Sequence, residues 1–159
     1  MRKAMLLLAV FGLAGSLWAA DPLIGTWKLN VAKSKFSPAF LTLNNEVAPK
    51  EATLVIKDLS ADEVEITETG TRTDGSAISQ RFTQPKQGGV ATSGLPEGII
   101  FVHTIVSPNN RVGAILQNGK QTQVIQWVVS EDGKTLTSTR TAKDAQGKSL
   151  SLLAIYEKQ

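Results

Sequence analysis

Gly25-Thr26-Trp27-Lys28-Leu29-Asn30, running on into Val31-Ala32-Lys33-Ser34-Lys35-Phe36, is the stretch on which the fold turns. Trp27, Leu29 and Val31 alternate with Thr26, Lys28 and Asn30, the two-residue period of a half-buried β-strand. The indole of Trp27 is large enough to plug a closed sheet, and the segments downstream read as strands that pair with this one.

Upstream of that strand, Arg2 and Lys3 precede an apolar run from Ala4 to Leu17, which ends in Trp18-Ala19-Ala20-Asp21-Pro22. A charged start, an apolar middle and small residues at a cleavage point make a secretory signal peptide. The alternative, a membrane anchor, needs roughly 20 apolar residues, and this run is shorter. Cleavage is expected after Ala19 or Ala20, giving a leader over residues 1–19 and a mature domain over 20–159, secreted or periplasmic. No stable membrane span remains after cleavage.

Removing the leader changes the charge argument. The chain has 17 Lys+Arg against 14 Asp+Glu, and losing Arg2 and Lys3 leaves 15 against 14. No Lys/Arg cluster with interleaved aromatics remains to argue for nucleic acid. Roughly 140 residues suffice for one domain with a sizeable core. With no cysteine anywhere, an exported chain has no disulfide framework, no thiol nucleophile and no thiolate for a metal.

From Glu51 the alternation becomes regular. Leu54 and Ile56, then Val64 and Ile66, alternate with polar neighbours, and Ile78, Gln80 and Phe82 share a face of the following strand, with turns at Asp58–Asp62 and Asp74-Gly75. Glu63 and Glu65 read as a solvated face. Breaks at Pro85, Gly88, Gly89, Gly94 and Pro96 leave room for a short strand near Val90. Ile99–Val106 is apolar on both faces and is expected to be covered on both. Arg111–Gln117, Asn118-Gly119 and Lys120–Ser130 form a hairpin, because the Asn-Gly pair suits the positive φ of a tight turn. Lys134–Thr141 and Lys148–Lys158 complete the series, the last with Leu150, Leu152, Ala154 and Tyr156 on one face. Short strands joined in sequence predict an all-β antiparallel meander of about eight to ten strands, closed to remove its edges. The connection Ala32–Lys50, with Phe36, Phe40, Leu41 and Leu43, is either a lid over one end or a short helix that finishes the core.

These residues resemble a known group. Gly25-Thr26-Trp27 on a first strand, a long lid-like connection and a meander resemble the lipocalin-like (calycin) barrels. Asp21-Pro22 through Phe36, Ser130-Glu131-Asp132-Gly133-Lys134-Thr135-Leu136 and Tyr156-Glu157-Lys158-Gln159 are similar to small secreted bacterial proteins of that type, mostly uncharacterised. The resemblance implies a barrel holding a small, partly apolar ligand. It also implies an arginine from late in the barrel covering the Trp of Gly-x-Trp. Arg140, on the face of Leu136 and Ser138, would fill that role over Trp27; otherwise it points to solvent.

The residues supply little chemistry. His103 is the sole histidine and shares a face with Ile99, Phe101 and Ile105, as a buried, hydrogen-bonded imidazole would; no Gly-x-Ser-x-Gly elbow accompanies it. Asp62, Glu63, Glu65 and Glu68 lack EF-hand spacing, and Gly88-Gly89 lacks a phosphate-binding context. No catalytic, cofactor or metal residue is assigned. Gln80, Gln117, Gln123, Gln126 and Arg140 lie within strands and either line a polar cavity or face outward. The residues expected to meet a small apolar or amphipathic ligand are Trp27, Phe36, Phe40, Phe82, Phe101, His103, Trp127 and Arg140. The competing reading is a ligand-free structural or interaction module of the cell envelope, with a cofactor-free enzyme third.

Overall fold

The computed structural model describes residues 21–159; the expected leader and cleavage point lie outside them. The first strands are β1 (Gly25–Leu29), β2 (Pro49–Asp58), β3 (Glu63–Arg72), β4 (Ala77–Pro85) and β5 (Gly89–Val90). They continue as β6 (Ile99–Ser107), β7 (Asn110–Gln117), β8 (Lys120–Val129), β9 (Thr135–Lys143) and β10 (Ser149–Lys158). All lie in one antiparallel sheet in the order β4-β3-β2-β1-β10-β9-β8-β7-β6-β5. The chain's last strand lies against its first, with Trp27 opposite Lys158. The sheet's two ends meet where Thr83 and Ser93 form a bridge and the Thr92 N–H reaches the Thr83 carbonyl at 2.9 Å. The result is a nearly closed, all-β barrel.

Turn chemistry sets the register. Asn118 and Gly119 adopt φ of 51° and 77°, the left-handed pair that matches the twist of a two-residue hairpin. At the next two turns aspartate side chains hold the backbone. Asp132 Oδ1 accepts the Lys134 N–H at 3.0 Å, and Asp144 Oδ1 accepts those of Gln146 and Lys148 at 3.0 and 2.9 Å. Such side-chain bonds substitute for a backbone turn bond and favour aspartate there.

The period-two face predicted for each strand is the inner face. Leu54, Ile56, Val64, Ile66, Leu136, Leu152, Ala154 and Tyr156 form one core with Trp27, whose side chain is fully buried. Two outer-face expectations need correction. Ile99–Val106 is covered only on its inner side: Ile100 and Val106 are 42% and 60% exposed. Apolar composition does not require burial, since much of a folded surface is apolar. Glu65 does face outward, yet it is only 3% exposed, roofed by Lys57 at 2.9 Å and by Arg81, whose Nε donates at 2.7 Å. The hydrogen bond from Lys57, then those from Arg81, hold its carboxyl below the usual range despite its covering.

β1 is half the length of its neighbours, and this shapes the site. It ends at Leu29, and Val31, expected to extend it, lies in a 3-10 turn, Val31–Lys33, at 41% exposure. Among the described residues, no strand therefore lies between the upper halves of β2 and β10. Lys35 makes one bridge to Leu153, with N–H···O bonds of 2.8 and 3.0 Å. Beyond it an open groove of about 630 Å³ runs between Lys35–Ser37 and Ser149–Leu153.

Candidate ligand site under the lid

The connection over this gap contains α1 (Pro38–Leu43). The Ser37 hydroxyl accepts the Phe40 N–H at 3.4 Å, and Pro38 sits at the first turn, where its missing N–H costs nothing. Asn44 ends the helix: its N–H and its Nδ2 both donate to the Phe40 carbonyl, at 3.2 and 2.8 Å. Asn45 at φ 53° turns the chain back, and the Glu46 N–H closes on the Leu41 carbonyl at 2.9 Å. This cap aims three side chains at the barrel: Phe40, Asn44 and Glu46. Phe40 is fully buried in the core cluster, whereas Leu43 is 42% exposed. The short helix completes the core through Phe40, and its cap brings Asn44 and Glu46 against Gln123 and Arg140.

The opposite wall presents Arg140 from β9 and Gln123 from β8. Arg140 Nε donates to Gln123 Oε1 at 2.9 Å, Nη1 donates to Glu46 Oε2 at 2.8 Å, and Nη2 reaches both partners. Gln123 Nε2 in turn donates to Asn44 Oδ1 at 2.8 Å. The guanidinium carbon stands 5.3 Å from the centroid of the Phe40 ring. A planar fork held by a carboxylate on one side and an amide on the other is the geometry that reads carboxylate-like anions.

Glu68 and Tyr156 add a second polar pair on the inner wall, with the phenol donating to Glu68 Oε1 at 2.9 Å. Burial pushes the Glu68 carboxyl up, against the opposing pull of the Tyr156 hydrogen bond and of Arg140. Burial, with the neighbouring Glu68 charge, pushes Tyr156 well above the ordinary phenol value.

The remaining named residues lie elsewhere. At the far end of the barrel the segment Asp21–Ile24 closes the bottom. Asp21 pairs with buried Arg111 at 2.9 Å, and Trp27 Nε1 donates to the Leu23 carbonyl at 2.9 Å. Phe82, Phe101, His103 and Trp127 form an inner aromatic cluster, Phe101 lying 5.8, 6.0 and 6.5 Å from the other three by ring centroids. Trp127 Nε1 donates to the Ser138 hydroxyl at 3.0 Å. Gly113 has no side chain because a Cβ there would sit 2.5 Å from the Phe101 ring. Phe36 is half-buried beside the outer groove.

The pairing of Arg140 with Trp27 is not found. Lys158 covers the indole instead, its Nζ 4.9 Å from the ring centroid. β10 runs down beside β1 and delivers Lys158 opposite Trp27, while Arg140, opposite Leu152 in β10, lies nearer the mouth. Of the glutamines, Gln123 faces inward, whereas Gln126 faces the other way and donates to Asn110 Oδ1 at 3.2 Å; Gln80 and Gln117 are exposed. Of the eight residues, Phe40 and Arg140 meet under the connection, Phe82, His103 and Trp127 gather around Phe101, Trp27 lies against Leu23 and Lys158, and Phe36 stands apart beside the outer groove. Glu46, Asn44, Glu68 and Tyr156 complete the mouth and were not among them. Glu68 carried a signal, since it continues the inward series Val64, Ile66; Asn44 and Glu46, in an aperiodic connection, carried none.

No protein-family model matches the chain, and no curated protein matches it. Solved structures do. The fluorescent protein UnaG is 17% identical over 87% of this chain and 98% of its own, with a TM-score of 0.61. A single-residue variant of it is 18% identical over 87% and 97%, with a TM-score of 0.62. Lobster apocrustacyanin is 12% identical over 89% and 63%, with a TM-score of 0.45. At these identities the likeness to UnaG establishes a shared lipocalin-like (calycin) barrel fold.

Proposed function

We propose that this chain is an exported, non-enzymatic barrel that binds a small, partly apolar molecule bearing an anionic group, in the space that Phe40 and Glu46 occupy. The arrangement around Arg140 carries the reading. A packed barrel gains little from a half-buried arginine whose counter-charge comes from a connecting segment rather than from the wall, because desolvation offsets most of the attraction. As a binding site it has a role: Glu46 fills the anion position and Phe40 the apolar one until a ligand replaces them. The open groove beside Phe36 runs along the segment that leads into the helix Pro38–Leu43. The leader reading is part of the proposal and rests on residues 1–20 as sequence.

A second reading, a ligand-free envelope module, draws support from the depth at which Phe40 is buried. Native mass spectrometry of protein purified from its own host separates the two. The binding reading expects a polypeptide beginning at Ala20 or Asp21 and carrying a co-purifying small molecule. A full-length chain beginning at Met1 would overturn export. A mature chain without adduct, and without a melting shift against amphipathic acids, would favour the module.

A further inference from the structure

The end of the barrel opposite the lid holds a second polar site, unrelated to the one around Arg140. A cavity of about 10 Å³ lies there, lined in part by Gln84, His103, Lys86 and Arg111. Gln84 and His103 are 4% and 6% exposed, and among the described residues Gln84 Oε1 and His103 Nδ1 are buried without a protein hydrogen-bond partner. Leaving such atoms unsatisfied costs stability, and buried polar groups are in the main paired with protein or ordered water.

The surroundings select what can satisfy them. A cation is disfavoured by Arg111 and Lys86 on the same cavity. An anion would face the Gln84 carbonyl oxygen, and both cations already have carboxylates, Arg111 with Asp21 and Lys86 with Asp58, each at 2.9 Å. What remains is a neutral molecule with two protons to donate. The volume matches one water, which needs about 10–15 Å³ and two to four polar partners.

We propose that one buried water bridges Gln84 Oε1 and His103 Nδ1 and stitches the seam at which the barrel closes. Gln84 is on β4 and His103 on β6, on the two sides of the junction between the sheet's ends. The ladder there is thin: Thr83 and Ser93 bridge once, and β5 is two residues long. A water donating to both atoms supplies a cross-link where backbone pairing is missing. It also fixes His103 as the neutral tautomer, with Nδ1 bare and the proton on Nε2. The buried imidazole is then bonded at Nδ1 through solvent.

Crystallography at atomic resolution, ¹⁵N NMR of His103 and the variants Gln84→Leu, His103→Leu and their combination test this. The expected results are a water within hydrogen-bond distance of both atoms and a bare-nitrogen shift at Nδ1. Each single variant should lower Tm by about 3–6 °C, because it strands the other partner, and the double variant should fall no further than the worse single. Density showing Gln84 Oε1 or His103 Nδ1 bonded directly to a protein group, a protonated Nδ1, or additive losses in the double variant would each overturn the bridge. The crystallographic and NMR arms hold even where a variant fails to fold.

Discussion

Trp27→Ala is expected to remove about 3–5 kcal/mol of folding stability, the range for truncating a fully buried aromatic. Three losses coincide at this position. The indole is the largest fully buried side chain in the core, and removing it leaves a cavity between strands that pair with each other and cannot collapse freely. Its Nε1–H, which ties Leu23 to the barrel floor, goes with it. Lys158 loses the ring it lies over, worth about 0.5–1 kcal/mol at a partly exposed site. Domains of this kind have about 5–15 kcal/mol in total, so the variant should lie near its unfolding threshold. Urea denaturation reads the effect as a lower midpoint at unchanged slope. A loss below about 1 kcal/mol, the ordinary size for a surface change, would mean the indole does not plug the barrel.

Arg140→Met should have the next largest effect, about 2–3 kcal/mol. That is below the 3–5 kcal/mol for breaking a fully buried pair, because the Arg140 and Glu46 side chains are 24% and 30% exposed. Methionine keeps much of the stem's packing but leaves the Glu46 carboxylate and the Gln123 carbonyl without their donors. The lid is held to the barrel by these bonds and by Phe40. With the bonds lost, hydrogen exchange at Leu41, Asn44 and Glu46 should quicken by about 10- to 100-fold while that of β9 and β10 changes only with global stability. Equal exchange in the lid would show that Phe40 alone secures it.

Much of this was legible in the chain. Alternation placed Leu54, Ile66, Leu136, Leu152 and Tyr156 on inner faces, since a strand against one core has no other way to bury them. Asn118-Gly119 and Asp132-Gly133 announced their turns because few other residues adopt the required φ. Alternation also sets the face of Arg140, along with Leu136 and Ser138. Its partner was not legible. Whether a late-barrel cation meets Trp27 depends on the stagger between β1 and β10, a long-range register that no local pattern encodes, and it is Lys158 that arrives there. Glu46 reaches Arg140 only because Asn45 turns back after a six-residue helix. The unpartnered atoms of Gln84 and His103 meet across a seam joining strands far apart in the sheet order. Contacts of this kind come from closure, and closure is a property of the whole sheet.

Equilibrium titration with 1-anilinonaphthalene-8-sulfonate, an anionic amphipathic probe, tests the central claim most directly, using wild type, Glu46→Gln and Arg140→Met. If Glu46 holds the anion position, replacing its charge by an amide frees the Arg140 fork, and charge-assisted hydrogen bonds of about 1.5–3 kcal/mol become available to the probe. The account predicts binding about tenfold or more tighter for Glu46→Gln than for wild type, and loss of that gain when Arg140 is methionine. The same Kd in all three proteins would contradict it and leave the mouth of the barrel a closed, structural end.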